Sequence, residues 1–465
     1  MQTTMWLRFY WPIPFFQSDP TKAACAIIDP TKINPVARKC IAEGLLPNSP
    51  TGVLNSQSAA QDNRKELTMR FDFNLTKNDQ LSVTLGGFRN PSLVPFDRNA
   101  SGAPGFGSIN QVNNYFGNFT YGRKFSPNAW NEFRVTVQRH NSLQADPQRS
   151  LPGPSALGFT NITPDLTTGP PVLLFDSSGL TVGFSPQGPT NVIRNAFVYS
   201  DTLSWTHGHH ALKFGGGFSA YQANIDFAFF VDGAFDFVGT GGIGTGNDFA
   251  DFLTGQPIDY QQGPRSPTNA RTKFLFGLAE DEWRVNKKLT LTLGLRYEYS
   301  TPKLDTHGDT FNVIPGLHST VFPNAPSGLV FPGDTGAPRG VNFPDKNNWA
   351  PRIGFAWDPA GTAKTSIRGG FGVFYDILKA EDNLQDNGQP PFFASAFLNF
   401  NPLLGNPTAD LPNLADPYNS ASPVAPNPFP SKPVDHNIDF AEAGILPFGN
   451  TGIFLDEPHL RTPYT

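Results

Sequence analysis

Leu289-Thr290-Leu291-Thr292-Leu293-Gly294-Leu295-Arg296-Tyr297-Glu298-Tyr299 places an apolar side chain at every odd position and a polar residue or glycine at every even one. Successive side chains of an extended strand point to opposite faces, so this stretch reads as a strand with one apolar and one polar face. Leu67-Thr68-Met69-Arg70-Phe71-Asp72-Phe73-Asn74-Leu75 repeats the pattern, and Phe133, Val135 and Val137 alternate with Glu132, Arg134, Thr136 and Gln138. Ile367-Arg368-Gly369-Gly370-Phe371-Gly372-Val373-Phe374-Tyr375 follows it more loosely. Helical periodicity is nearly absent.

The strands fall into five hairpins: 64–75 with 80–89, 112–123 with 129–140, 196–206 with 211–222, 271–284 with 289–300, and 349–358 with 365–375. Each closes on a short polar turn: Lys77-Asn78-Asp79, Ser126-Pro127-Asn128, His207-Gly208-His209, Asn286-Lys287 and Pro359-Ala360-Gly361. Between hairpins run long Gly-, Pro-, Asn- and Ser-rich connections, such as 141–195, 224–270 and 301–348. Repeated long loops would count against the strand assignment in a compact soluble domain. In an outer-membrane barrel they are expected, with short turns at the periplasmic end and long loops outside. Strand length agrees, since a tilted strand needs about 9–11 residues to cross the hydrocarbon layer.

The fold expected is therefore all-β: an antiparallel up-and-down meander of about ten strands, an open half-barrel belonging to a transmembrane β-barrel with long loops. Phe71, Phe73, Val135, Leu291, Leu293, Phe371 and Val373 should face lipid on the convex side. Arg70, Asp72, Arg134, Arg296 and Arg368 should lie on the concave side. Trp130, Trp205, Trp283, Tyr299, Trp349, Trp357 and Tyr375 gather at strand ends, as in interfacial girdles. The chain divides into an irregular Pro-rich segment over 1–60, the partial barrel over 61–376, and an irregular segment over 377–465. One short helix is expected inside a long loop: Asn247 can cap it, Phe249, Phe252 and Leu253 share a face, and Gly255 can end it.

Composition excludes several classes. The 34 Lys+Arg and 39 Asp+Glu give a net charge of −5, so the chain lacks the basic footprint of a nucleic-acid binder. Charged residues are only 16%, against roughly 25% on average. With 42 Phe the chain has ample apolar surface and is not disordered by composition. No apolar stretch approaches the roughly 20 residues of a membrane-spanning helix. The most apolar early stretch, 5–16, is broken by Arg8, Pro12 and Pro14 and does not read as a signal peptide.

Few residues suggest chemistry. Cys25 and Cys40 form a candidate disulfide in an oxidising compartment, with two free thiols as the alternative. Zinc would need more ligands nearby. His207, His209 and His210 cluster at a tight turn where neighbouring side chains diverge, so a solvated turn outweighs a metal site. Gly239-Thr240-Gly241-Gly242-Ile243-Gly244 matches a dinucleotide-loop spacing but lacks the βαβ unit that gives it meaning. Glu280, Asp281 and Glu282 read as a strand-end rim rather than an acid–base pair. The aromatic-acidic stretch holding Asp226, Phe229, Phe230, Asp232 and Phe235 is the candidate ligand-contact loop. Asp236 and Phe237 extend it, but without the oxygen spacing of a calcium loop. No G-x-S-x-G, H-E-x-x-H or C-x-x-C occurs, and neither an enzyme nor a cofactor is indicated.

Several segments, taken in order, resemble the barrel domain of Oar-like TonB-dependent receptors. They are Thr206-His207-Gly208-His209-His210-Ala211-Leu212-Lys213-Phe214-Gly215-Gly216, then Gly246-Asn247-Asp248-Phe249-Ala250-Asp251-Phe252-Leu253-Thr254-Gly255. Glu280-Asp281-Glu282-Trp283-Arg284-Val285 follows, leading into the stretch 289–298. Trp349-Ala350-Pro351-Arg352-Ile353-Gly354-Phe355-Ala356-Trp357 and Ile367 to Asp376 complete the set, and Ile33-Asn34-Pro35-Val36-Ala37-Arg38 looks like a loop motif of the same family. The resemblance implies residence in the cell outer membrane, contact with its lipid, and binding and uptake of an unidentified extracellular substrate. It also implies that a TonB-type energy-coupling protein would act through a plug that is not recognisable in this sequence. Such transporters have about 22 strands, so a fragment of a longer receptor is expected, unable to transport alone. The competing reading is a secreted or surface-exposed soluble β-rich binding protein without a pore.

Overall fold

The computed structural model describes residues 28–48, 55–96, 102–146, 151–162, 169–185, 188–239, 245–362, 364–376, 391–393, 395–399, 412–420, 429, 434–441 and 457–465. Helix α1 (Pro35–Ala42) comes first, followed by strands β1 (Gln61–Asp62), β2 (Lys65–Asn74) and β3 (Asp79–Val94). The hairpin β4 (Ser108–Ser126) and β5 (Ala129–Ala145) leads to helix α2 (Pro154–Leu157) and strands β6 (Val172–Phe175) and β7 (Leu180–Val182). The hairpin β8 (Thr190–His207) and β9 (His210–Ala228) leads to β10 (Ala234–Phe237), helix α3 (Asp248–Thr254) and β11 (Asp259–Gln262). Next come β12 (Arg265–Asn286) and β13 (Leu289–Ser300), then the short β14 (Leu304–Asp305), β15 (Asn312–Val313) and β16 (Leu329–Val330). β17 (Asn348–Trp357), β18 (Ile367–Gly372) and β19 (Ala396–Asn399) complete the set.

Ten strands form one antiparallel meander in the order β2-β3-β4-β5-β8-β9-β12-β13-β17-β18, with β1 prolonging the β2 edge and β14 pairing with β12. All five expected hairpins are present, and each strand pairs with its sequence neighbours within the sheet. Among the described residues β2 and β18 do not pair with each other, so the sheet is open. Beside β18, Tyr464 bridges Tyr375, and Phe374 and Thr465 exchange backbone hydrogen bonds of 3.0 and 2.9 Å.

Register carries each face unbroken across the sheet. Phe71, Val83, Phe119, Val135, Tyr199, Phe218, Leu275 and Tyr299 are successive partners in one row. The adjoining row, on the other face, runs Asp72, Ser82, Thr120, Arg134, Ser200 and Gly217. The apolar face is bare: Phe71 is 46% exposed and Phe371 70%. A sheet in water hides such a face under a second layer, whereas a membrane barrel turns it to lipid. Arg70, Asp72 and Arg134 lie on the opposite face, as expected; Val373 falls just past the end of β18. On the turn side, Trp205, Trp283 and Trp357 share the apolar face, with Trp349 on it at the far end. Trp130 departs from the expected girdle, because its indole covers Gly122 on the polar face. A Cβ at Gly122 would lie 2.1 Å from Trp130 Cζ2, so only glycine admits the ring there.

The long connections are not all irregular. β19, β11, β10, β6 and β7 form a second, five-stranded sheet, in which only the β10–β6 pairing is parallel. With α1, α2 and α3 it encloses a core that includes Val36, Cys40, Leu157, Phe175, Phe237, Phe252 and Tyr260. The expected helix is α3: the Asn247 side chain accepts from the Ala250 N–H at 3.0 Å, and Gly255 ends it in the left-handed conformation at φ +77°. Two expectations need correction. The segment 1–60 contains α1, started by the Asn34 cap and Pro35, and tied to α3 by Asn34 N–H donating to Leu253 O at 2.8 Å. The segment 377–465 contains β19, which pairs with β11. α1 and β19 form because their apolar residues enter this core. A smaller core of Phe311, Phe322, Leu329, Phe331 and Phe440 organises the β13–β17 connection.

Candidate functional site

β8, β9 and β12 extend well past the roughly 9–11 residues needed to cross hydrocarbon, so their loop ends stand clear of the membrane beside the five-stranded sheet. There Arg265 Nη1 donates to Asp226 Oδ2 at 2.7 Å, and Arg271 Nη1 donates to Asn224 Oδ1 at 2.8 Å. Phe227, Phe229 and Phe230 follow along the chain, with ring centroids 6.2 Å apart for the first two and 4.5 Å for the last two. Phe230 has φ +50°, and its carbonyl accepts from Gly233 N–H at 2.9 Å, which folds the chain back into β10.

The structure divides the five candidate ligand-contact residues. Asp226, Phe229 and Phe230 are half-buried and reachable from outside. Asp232 is 6% exposed and Phe235 is fully buried, its ring packed 5.4 Å from Phe159 and 4.7 Å from Tyr260. These two build the floor and cannot meet a ligand at the surface; the correction follows from β10 turning Phe235 and Phe237 into the core.

A half-buried acidic pair lies on the neighbouring strands. Asp236 on β10 stands opposite Asp259 on β11. Burial, and then the Asp236 and Asp176 charges, push the Asp259 carboxyl up to about 7. Burial, and then Asp176, push Asp236 up to about 6. Near neutral pH the pair therefore holds protons that exposed carboxyls would have lost.

A second polar surface lies on the inner face of the barrel sheet. Arg70, Gln80, Ser82, Thr84, Asn118 and Trp130 are among the residues around a depression of about 280 Å³. Arg70 pairs there with Asp72 at 2.9 Å, and Arg134 with Glu132 at 2.7 Å.

His207 and His209 are exposed at their turn, but His210 Nδ1 lies 2.7 Å from Asp281 Oδ2, an acid that the sequence reading did not place near it. Alternation sends Asp281 to the apolar face and Glu280 and Glu282 to the polar one; the period-two rule was the available signal. Cys25 and residues 240–244 lie outside the described residues. Cys40 is buried in α1, and burial pushes its thiol up to about 12, so it is unreactive near neutral pH.

A family model for the outer membrane beta barrel domain matches residues 13–465, in agreement with the receptor-barrel resemblance of 64–376. Among solved structures, the outer membrane transporter YddB from Escherichia coli is 10% identical, with a TM-score of 0.44, covering 75% of this chain and 36% of that one. FpvA of P. aeruginosa, bound to heterologous pyoverdines, is 12% identical with a TM-score of 0.40, covering 69% and 36%. The siderophore receptor PirA from Acinetobacter baumannii is 11% identical with a TM-score of 0.36, covering 69% and 34%. The chain thus spans little more than a third of the length of these structures. No curated protein sequence matches it.

Proposed function

The chain belongs to the outer membrane beta barrel domain family and resides in the outer membrane; from that premise we propose that it forms part of a receptor barrel that binds an extracellular solute and passes it inward. The observation that carries the reading is a single sheet with a bare apolar face on one side and a polar, charged face on the other. Its loop ends carry a folded cap. Asp226, Arg265, Phe229 and Phe230 offer a charged and aromatic first contact outside, and the inner depression beside Trp130 offers a second polar station.

The same geometry limits what these strands do unaided. In hydrocarbon each unpaired backbone group costs several kcal/mol, and among the described residues β2 and β18 do not pair with each other. Completion by further strands, and coupling to an energy source through a plug, would be needed for uptake. The test is deletion of the gene in its own host, followed by depletion of siderophores, oligosaccharides and peptides from the medium. Loss of uptake of one solute class supports the proposal; unchanged depletion of all three overturns it.

A further inference from the structure

The connection after β13 brings three metal-ligating side chains to one point. Asp305, His307 and Asp309 follow at alternate positions, and one ligand atom of each lies within 4.8 Å of the other two. We propose that these three residues bind a divalent transition-metal cation at the outer end of β12, a site independent of the solute reading above.

The first ligand is rigidly held. Asp305 is 2% exposed; its Oδ2 accepts from Asn269 N–H and its Oδ1 from His307 N–H, each at 2.8 Å. The β14–β12 pairing of Asp305 with Ala270 fixes the backbone beneath it. His307 Nδ1 stands 3.9 Å from Asp305 Oδ1, with Asn269 Nδ2 at 3.2 Å from the same nitrogen. Gly308, at φ +78°, turns the chain so that Asp309 returns to its neighbours. Atoms sharing one cation at about 2.1 Å sit roughly 3–4 Å apart, so small side-chain rotations close the set.

Next along the chain, one buried polar group is left unpartnered. Thr310, beside Asp309, is 1% exposed, and its hydroxyl oxygen has no hydrogen-bond partner among the described residues. A buried hydroxyl without a partner is uncommon and costs stability. The imidazole favours Zn²⁺, Ni²⁺ or Cu²⁺ over the hard cations Ca²⁺ and Mg²⁺, which prefer all-oxygen sets.

The test is calorimetric titration of Zn²⁺ into the full chain in detergent micelles at pH 7.5, with His307→Gln, Asp309→Asn and a His207→Gln/His209→Gln control. His307 is 60% exposed in its side chain, so its replacement leaves the fold in place. The expected result is one micromolar-range site, weakened at least tenfold by His307→Gln and by Asp309→Asn, and unchanged in the control. No saturable binding, or binding lost only in the control, overturns the proposal.

Discussion

His210 Nδ1 and Asp281 Oδ2 meet at 2.7 Å on the apolar face, joining β9 to β12 diagonally: Asp281 lies in the row of Leu212, Leu293 and Ile353, and His210 lies opposite Trp283. The Trp283 ring stacks on the imidazole at 5.5 Å, with planes 13° apart. Two strand ends beside the short His207–His210 turn are thus clamped at the turn-side boundary of the lipid-facing surface.

Removing one partner of this clamp should cost more than removing both. His210→Ala leaves a largely shielded carboxylate without its partner, at about 1–3 kcal/mol. The double variant His210→Ala/Asp281→Ala should lose less than the sum of the single losses, with a coupling of roughly 0.5–3 kcal/mol. Urea unfolding in micelles measures this; strictly additive losses would contradict the clamp.

Gly122→Ala should destabilise the β4–β5 hairpin by about 1–3 kcal/mol, because the added methyl falls on the Trp130 indole. Gly122→Ala/Trp130→Ala should recover stability relative to Gly122→Ala/Trp130→Phe, which keeps a ring in place. Equal stability of the two double variants would show that the ring does not set the need for glycine.

Two regions outside the membrane should respond to pH in opposite ways. Asp236 and Asp259 are raised in the folded state, to about 6 and about 7, so the fold binds more protons than the unfolded chain from about pH 4 upward. Their contribution is full below about pH 4 and is lost as pH rises through 6–7. Hydrogen exchange at the β6 and β10 amides should therefore be slower at pH 5 than at pH 8 after correction for intrinsic rates, and Asp259→Asn should flatten the difference.

Asp334 runs the other way. Burial raises its carboxyl, but the Ser319 hydroxyl and the N–H groups of Phe331, Thr320 and Val321 outweigh that and hold it at about 2. Its contribution is present above about pH 4 and is lost as pH falls toward 2. Asp334→Asn should remove this acid sensitivity from the β15–β16 region, read by exchange at Thr320, Val321 and Phe331; an unchanged acid profile would contradict the assignment.

The barrel strands were legible because alternation over ten or so residues leaves little doubt about face or partner. The cap was not, because β6, β7, β10, β11 and β19 are only three or four residues long. Two of their pairings are also remote in sequence: Leu398 of β19 meets Tyr260 of β11, and β10 lies parallel to β6. Asp232 and Phe235 look like Asp226 and Phe229 by composition, and only the fold separates buried from reachable. The α1 start was readable, since Asn34-Pro35 is an N-cap followed by proline in the first turn. The Asp305–His307–Asp309 grouping depends on the Gly308 turn and on Asn269 arriving from β12, neither of which local spacing reveals.

The bare face of the meander meets lipid. Single cysteines at Leu291, Leu293 and Leu295, and at Thr290, Thr292 and Arg296, introduced with Cys25 and Cys40 replaced by serine, place a fluorophore on either face of β13 in outer-membrane vesicles. Quenching by lipid-borne nitroxide at 291, 293 and 295, with quenching by aqueous iodide at 290, 292 and 296, is the predicted result. The reverse pattern, or iodide access at all six positions, would show that this face does not meet lipid.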